Sequence, residues 1–100
     1  MIGEVRVLLF HATGDVEGIT NAYHQVSKAM AGVPGLLGNE LLRSAHDPEG
    51  FVVVSRWSDM DAFLAWEQGP DHKRQTAPLR PYRDTRMSRP FGVYHVTAAY

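Results

Sequence analysis

From Gly3 to His11 apolar side chains recur at every second position, Val5, Val7 and Leu9 on one side and Leu8 and Phe10 on the other. That predicts a strand buried on both faces rather than one washed by water. Thr13-Gly14-Asp15 breaks the pattern, and Asp15 suits the N-cap of a following helix. The period then lengthens: Val16, Ile19, Tyr23, Val26 and Met30 form the stripe of an amphipathic helix that Gly32 and Pro34 close. Leu36 to Ala45 predicts a second strand, His46-Asp47-Pro48-Glu49-Gly50 a hairpin turn, and Phe51 to Trp57 a third strand dense in β-branched residues. Ser58 is the predicted N-cap of a second helix, with Asp61 as its capping-box acid and Phe63, Leu64 and Trp66 on its apolar side. Gly69-Pro70 interrupts, and Pro70 suits the first position of a further helical piece beginning at Asp71. Pro78, Pro81 and Pro90 make the stretch to about residue 91 a poor regular element, and Gly92 to Tyr100 alternates again as the last strand.

The order βαββαβ is the ferredoxin-like α+β plan, a four-stranded antiparallel sheet with its helices on one face. The first and third strands are nevertheless apolar on both sides. The sheet of a second copy, packed face to face, covers the remaining face most economically, so the pattern predicts a homodimer. A chain of 100 residues is one domain, 1–100. It buries only about two-thirds of its unfolded surface, which also favours an oligomer.

Hydrophobic residues make up 44% and charged residues 21%, values that exclude a disordered chain. The absence of cysteine excludes a disulfide scaffold, a thiolate nucleophile and an iron–sulfur cluster. A net charge of −1 speaks against nucleic acid as a partner, and apolar runs such as Val7 to Phe10 are far too short for a membrane span. The acid and the lack of an apolar core near the N-terminus predict no signal peptide and a cytoplasmic protein. The charge is uneven. Six of the ten basic residues fall between 73 and 89, whereas residues 40 to 71 are mostly acidic. The basic stretch reads either as a collar for an anionic ligand or as a solvated loop that pairs with the acidic middle.

Three segments carry a family resemblance: Pro34-Gly35-Leu36-Leu37-Gly38-Asn39-Glu40-Leu41-Leu42-Arg43, then Phe51 to Trp57, then Asp61-Ala62-Phe63-Leu64-Ala65-Trp66, with His72 and a basic residue following. Together they resemble the antibiotic biosynthesis monooxygenase family. The resemblance implies ferredoxin-like chains paired as a dimeric α+β barrel. It also implies one of several activities, among them quinone-forming oxygenases of polyketide pathways and heme-degrading enzymes. In the heme-degrading branch the counterpart of Trp66 presses on the heme, an Asn stands on the first strand and an axial His follows ten residues after the Trp. Here those last two positions hold Val7 and Thr76, and His72 lies one helical turn earlier.

The quinone-forming branch uses neither metal nor flavin, only molecular oxygen as co-substrate. That suits a chain with no Gly-rich phosphate loop and with His11, His24, His46, His72 and His95 spaced unlike a helical metal pair. Such chemistry needs an apolar pocket, a proton acceptor and donors for a developing anion. Trp66 is the candidate aromatic wall with an indole N–H to offer, or else a core residue. His72 is the candidate base, or else a surface helix residue. Asn39 can orient a carbonyl and Tyr23 can bring a phenol, while Arg56 and Arg80 are candidates for an anion clamp. His11 and His24 are weaker candidates, and His46 belongs to the turn. Residues 75 to 91 are expected to form a mobile cover. The leading function is a cofactor-independent monooxygenase acting on a small aromatic polyketide, anthrone-like in kind. The alternatives are a polyketide cyclase on the same scaffold and a non-catalytic small-molecule or heme-binding dimer.

Overall fold

One antiparallel sheet, in the order β2-β3-β1-β4, organises the molecule. Its strands are β1 (Val5–Ala12), β2 (Leu36–Arg43), β3 (Gly50–Trp57) and β4 (Phe91–His95). The helices are α1 (Val16–Ala29), α2 (Met60–Glu67) and the short α3 (His72–Thr76), which runs into a 3-10 helix, Ala77–Tyr82. The structure is a computed structural model and describes residues 2–100. The ferredoxin-like α+β order is the one expected from the periodicity.

Period-two alternation sends Val5, Val7, Leu9 and His11 of β1, and Phe51, Val53, Ser55 and Trp57 of β3, toward the helices. Ile19, Ala22 and Val26 of α1 pack on that face. Trp57, fully buried, meets Phe63 of α2 edge to face with centroids 5.5 Å apart. The opposite face carries Leu8, Phe10, Leu42, Val52, Val54 and Tyr94 by register, and among the described residues no helix packs on it. Leu42 and Tyr94 are exposed there.

Three local expectations are corrected. The N-cap of α2 is Asp59, whose carboxylate accepts from Ala62 N at 2.8 Å, and not Ser58 in a capping box with Asp61. Ser58 is held back because its N–H donates to Gly35 O at 2.8 Å. Gly35 itself has φ 82°, and a Cβ there would collide with Ala62, so the β2 entry passes α2 at a distance only glycine allows. The last strand is Phe91–His95 and does not run to Tyr100, because β1 begins at Val5, the partner of His95. Finally, the first half of the stretch read as irregular is helical. Pro78 enters near the start of the 3-10 helix, where no N–H is needed, and Leu79 anchors it in the core.

Candidate active site

Between the helical face of the sheet and the helices lies a cavity of about 260 Å³, near the small end of ordinary ligand sites. Val7, Leu9, Val53 and Val93 form its floor, Val26 and Met30 one side, and Phe63, Trp66 and Leu79 another. The hydrophobic stripe of α1 and the apolar alternation of the strands thus build a chamber with apolar walls and polar groups set among them. Those groups sit at defined places.

Trp66 and His72 meet at one end. Their ring centroids are 4.5 Å apart at 58°, and Trp66 also lies against Trp57 and Phe63. Gly69 and Pro70 end α2 and turn the chain, which brings His72, the first residue of α3, back over the Trp66 ring. His72 Nδ1 is 3.1 Å from Glu67 O. A carbonyl only accepts, so Nδ1 carries a proton; in the neutral imidazole the lone pair is then on Nε2, the tautomer a proton acceptor needs. The indole N–H of Trp66 is not available to a ligand as expected. It donates to Gln75 Oε1 at 2.7 Å, while Gln75 Nε2 donates to Ala29 O at 3.0 Å. Trp66 is therefore a wall braced across α2, α3 and α1.

A polar cluster stands on α1 and β2. Tyr23 Oη donates to Asn39 Oδ1 at 2.5 Å, and Ser27 Oγ donates to the same oxygen at 3.0 Å. All three residues line the cavity, as does Ser55, the cross-strand neighbour of Asn39. At the rim, Arg80 donates to Lys73 O at 3.1 Å and lies 3.4 Å from Thr76 Oγ1. Arg83 also lines the cavity. Arg56 is not part of this constellation. It lies between Ser55 and Trp57 on β3, so alternation turns it to the opposite, exposed face. His24 and His46 are exposed and do not line the cavity.

His11 is closer to the chemistry than its place in the sequence suggests. It is 5% exposed, lines the cavity, and its Nδ1 lies 3.1 Å from Leu9 O. Burial pulls its pKa below the usual imidazole value of 6.5, helped by the charge of Arg83, against the Leu9 bond and Asp84, which raise it. Ser27 and Ser55 were not singled out from sequence. Ser27 follows Tyr23 by four, on the same helical face, and Ser55 falls in the buried stripe of β3, so both carried a readable signal.

The basic stretch divides. Arg86 is tied to Asp84 at 2.9 Å and to Asp47 of the β2–β3 turn at 3.0 Å, pairing with the acidic middle of the chain. Arg74 pairs with Asp71. Of the basic residues between 73 and 89, Arg80 and Arg83 line the cavity.

A model of antibiotic biosynthesis monooxygenases matches residues 4–77. The chain belongs to that family. Protein SchA of Streptomyces halstedii is 31% identical over 80 residues, covering 80% of this chain and 21% of SchA. The chain thus spans about a fifth of that relative's length. A mycobilin-producing heme oxygenase of Mycobacterium tuberculosis is 43% identical over 42 residues, covering 42% of this chain and 40% of that enzyme. In fold the chain is similar to SnoaB, a cofactor-independent oxygenase from Streptomyces nogalater, with TM-score 0.77 and 19% identity over 99% of this chain and 97% of SnoaB. The two positions at which the heme-degrading branch is expected to hold an Asn and an axial His lack them here. Val7 and Thr76 both line the cavity, but Val7 has no polar atom and the Thr76 hydroxyl donates to His72 O at 2.9 Å. Among the described residues no helix is long and apolar enough to cross a membrane.

Proposed function

We propose that this domain is a cofactor-independent monooxygenase that oxidises a small aromatic, anthrone-like polyketide to a quinone with molecular oxygen. The observation that carries the reading is the cavity: a mainly apolar chamber whose aromatic wall, Trp66, packs against the tilted ring of His72, whose Nε2 has no partner among the described residues. His72 is the base. It removes a proton from the acidic CH₂ of the substrate, and the resulting enolate gives one electron to oxygen. The radical pair combines into a C–O bond, the peroxide takes up the proton, and loss of water leaves a carbonyl. Anthrone and O₂ become quinone and water, so the substrate supplies every electron and no reductant is consumed. His72 is better placed for this than His11, because it is only half-buried and can return its proton to water. Trp66 and the other apolar residues exclude water from the enolate, and Arg83 steadies an anionic substituent at the rim.

The working form is a homodimer joined through the uncovered sheet face. Leu8, Phe10, Val52 and Val54 make that face apolar in the middle, as an interface core requires.

Incubation with anthrone under ¹⁸O₂ tests the reaction. The expected quinone gains one labelled oxygen. A cyclised product from a poly-β-ketone, formed equally well under argon, would show the cyclase activity instead.

A further inference from the structure

The geometry points to Asn39 and Ser55 as an oxyanion site inside the cavity, a pair of donors for the enolate or phenolate oxygen of an aromatic ligand. It rests on the reading that the cavity takes an aromatic substrate, and it adds where the negative charge goes.

The orientation of Asn39 follows from distances. Its side-chain atom 2.5 Å from Tyr23 Oη is at an O–H···O separation, too short for an amide nitrogen. That atom is therefore the oxygen, and it also accepts from Ser27 at 3.0 Å. Both hydroxyls spend themselves on Oδ1, so the NH₂ group is turned away from α1 and has no partner among the described residues. Among the described residues no sealed side-chain nitrogen or oxygen lacks a partner, so the amide is open, and Asn39 lines the cavity. Ser55 is fixed by the same logic. The indole N–H of Trp57, which can only donate, is 3.0 Å from Ser55 Oγ. Ser55 must accept there, and its own hydroxyl hydrogen remains to be given. Asn39 and Ser55 are direct partners in the β2–β3 ladder, so their Cβ atoms lie about 4.5–5.5 Å apart on one face. Two N–H or O–H donors held side by side in an apolar chamber bind an oxygen anion better than the neutral carbonyl or phenol from which it forms. Tyr23 and Ser27 are positioning residues, since they act through the Asn39 oxygen.

The test uses 2-hydroxyanthraquinone, whose phenol and phenolate differ in colour, bound to the intact protein. In the wild type the pH midpoint of the colour change should fall by about one unit or more relative to the free dye, a roughly tenfold preference for the anion. Asn39→Leu removes the amide without adding charge and should abolish most of that shift. Ser27→Ala should lose part of it, because the amide is then held by Tyr23 alone. Ser55→Cys keeps an acceptor for Trp57 with a weak donor and should also lose part. Arg80 and Arg83 act alike in all of these proteins, so the differences report the donors. If Asn39→Leu does not fold, Tyr23→Phe combined with Ser27→Ala carries the test and should show most of the loss. A midpoint equal to that of the free dye, failure of the dye to bind up to its solubility, or variants that titrate like the wild type would overturn the proposal. Asn39 would then be only a tether between α1 and β2. An intact shift in a protein that does not oxidise anthrone would leave this site standing and remove the oxygenase reading.

Discussion

His11 shows how a single buried group couples the fold to pH. Its folded-state pKa lies below the unfolded value of 6.5. Above about 6.5 both states are neutral and the residue adds no pH dependence. Below it the unfolded chain takes up the proton first, so stability is lost as pH falls toward the folded value. Urea unfolding at several pH values between neutral and mildly acid should therefore show stability declining, with a shallower slope in His11→Gln. Identical slopes would mean that His11 is not protected from protonation in the fold. At this same scale the sequence was informative about which polar and aromatic residues share a cavity. Trp66, His72, Tyr23 and Asn39 do line one cavity, and Arg80 stands at its rim. Arg56 does not, although strict alternation from Val53 already excluded it from the helical face. The Trp66–Gln75 bond was not legible, since nothing in the order of residues says which acceptor will meet an indole across a helix corner.

The segment after the 3-10 helix is held by charge rather than by apolar packing. Asp84 N donates to Phe10 O at 3.0 Å, and the Asp84 carboxylate, mostly buried, is gripped by Arg86, which also reaches Asp47 on the β2–β3 turn. The Arg86 guanidinium holds the Asp84 carboxyl below the usual aspartate range, and the Glu49 N–H, then Arg86, does the same for Asp47. This latch lies at the end of the sheet beside Arg83. Arg86→Gln should speed hydrogen exchange in residues 84–90 while leaving the exchange of β1 and β3 unchanged, as expected for an exposed salt-bridge network that orders a loop but adds little global stability. Equal protection in the variant would show that backbone bonds alone fix the segment. The elements themselves were legible because their periods are clean. Their ends were less so. The N-cap of α2 moved to Asp59 because a backbone bond between Ser58 and Gly35 decides it, and the 3-10 helix was hidden by prolines that its first turns accommodate.

At the scale of the whole molecule, the four-stranded sheet was implied by βαββαβ, and so was the uncovered face. The register that sets Ser55 beside Asn39 could not be read, because it depends on the irregularity between Leu36 and Gly38 in β2. A homodimer through the open face predicts twice the monomer mass by light scattering at micromolar concentration, and Val52→Lys should halve it by placing a charge at the centre of the interface. A wild type that scatters as a monomer contradicts the dimer. The proposed mechanism requires only a neutral imidazole against an aromatic wall to start oxidation by molecular oxygen. Protein freed of metal and flavin should convert anthrone to quinone in air, and His72→Ala should slow the maximal rate by roughly a hundredfold or more, the usual worth of a positioned base, with substrate binding little changed. Turnover that requires an added cofactor, or a His72→Ala variant as fast as the wild type, would contradict it.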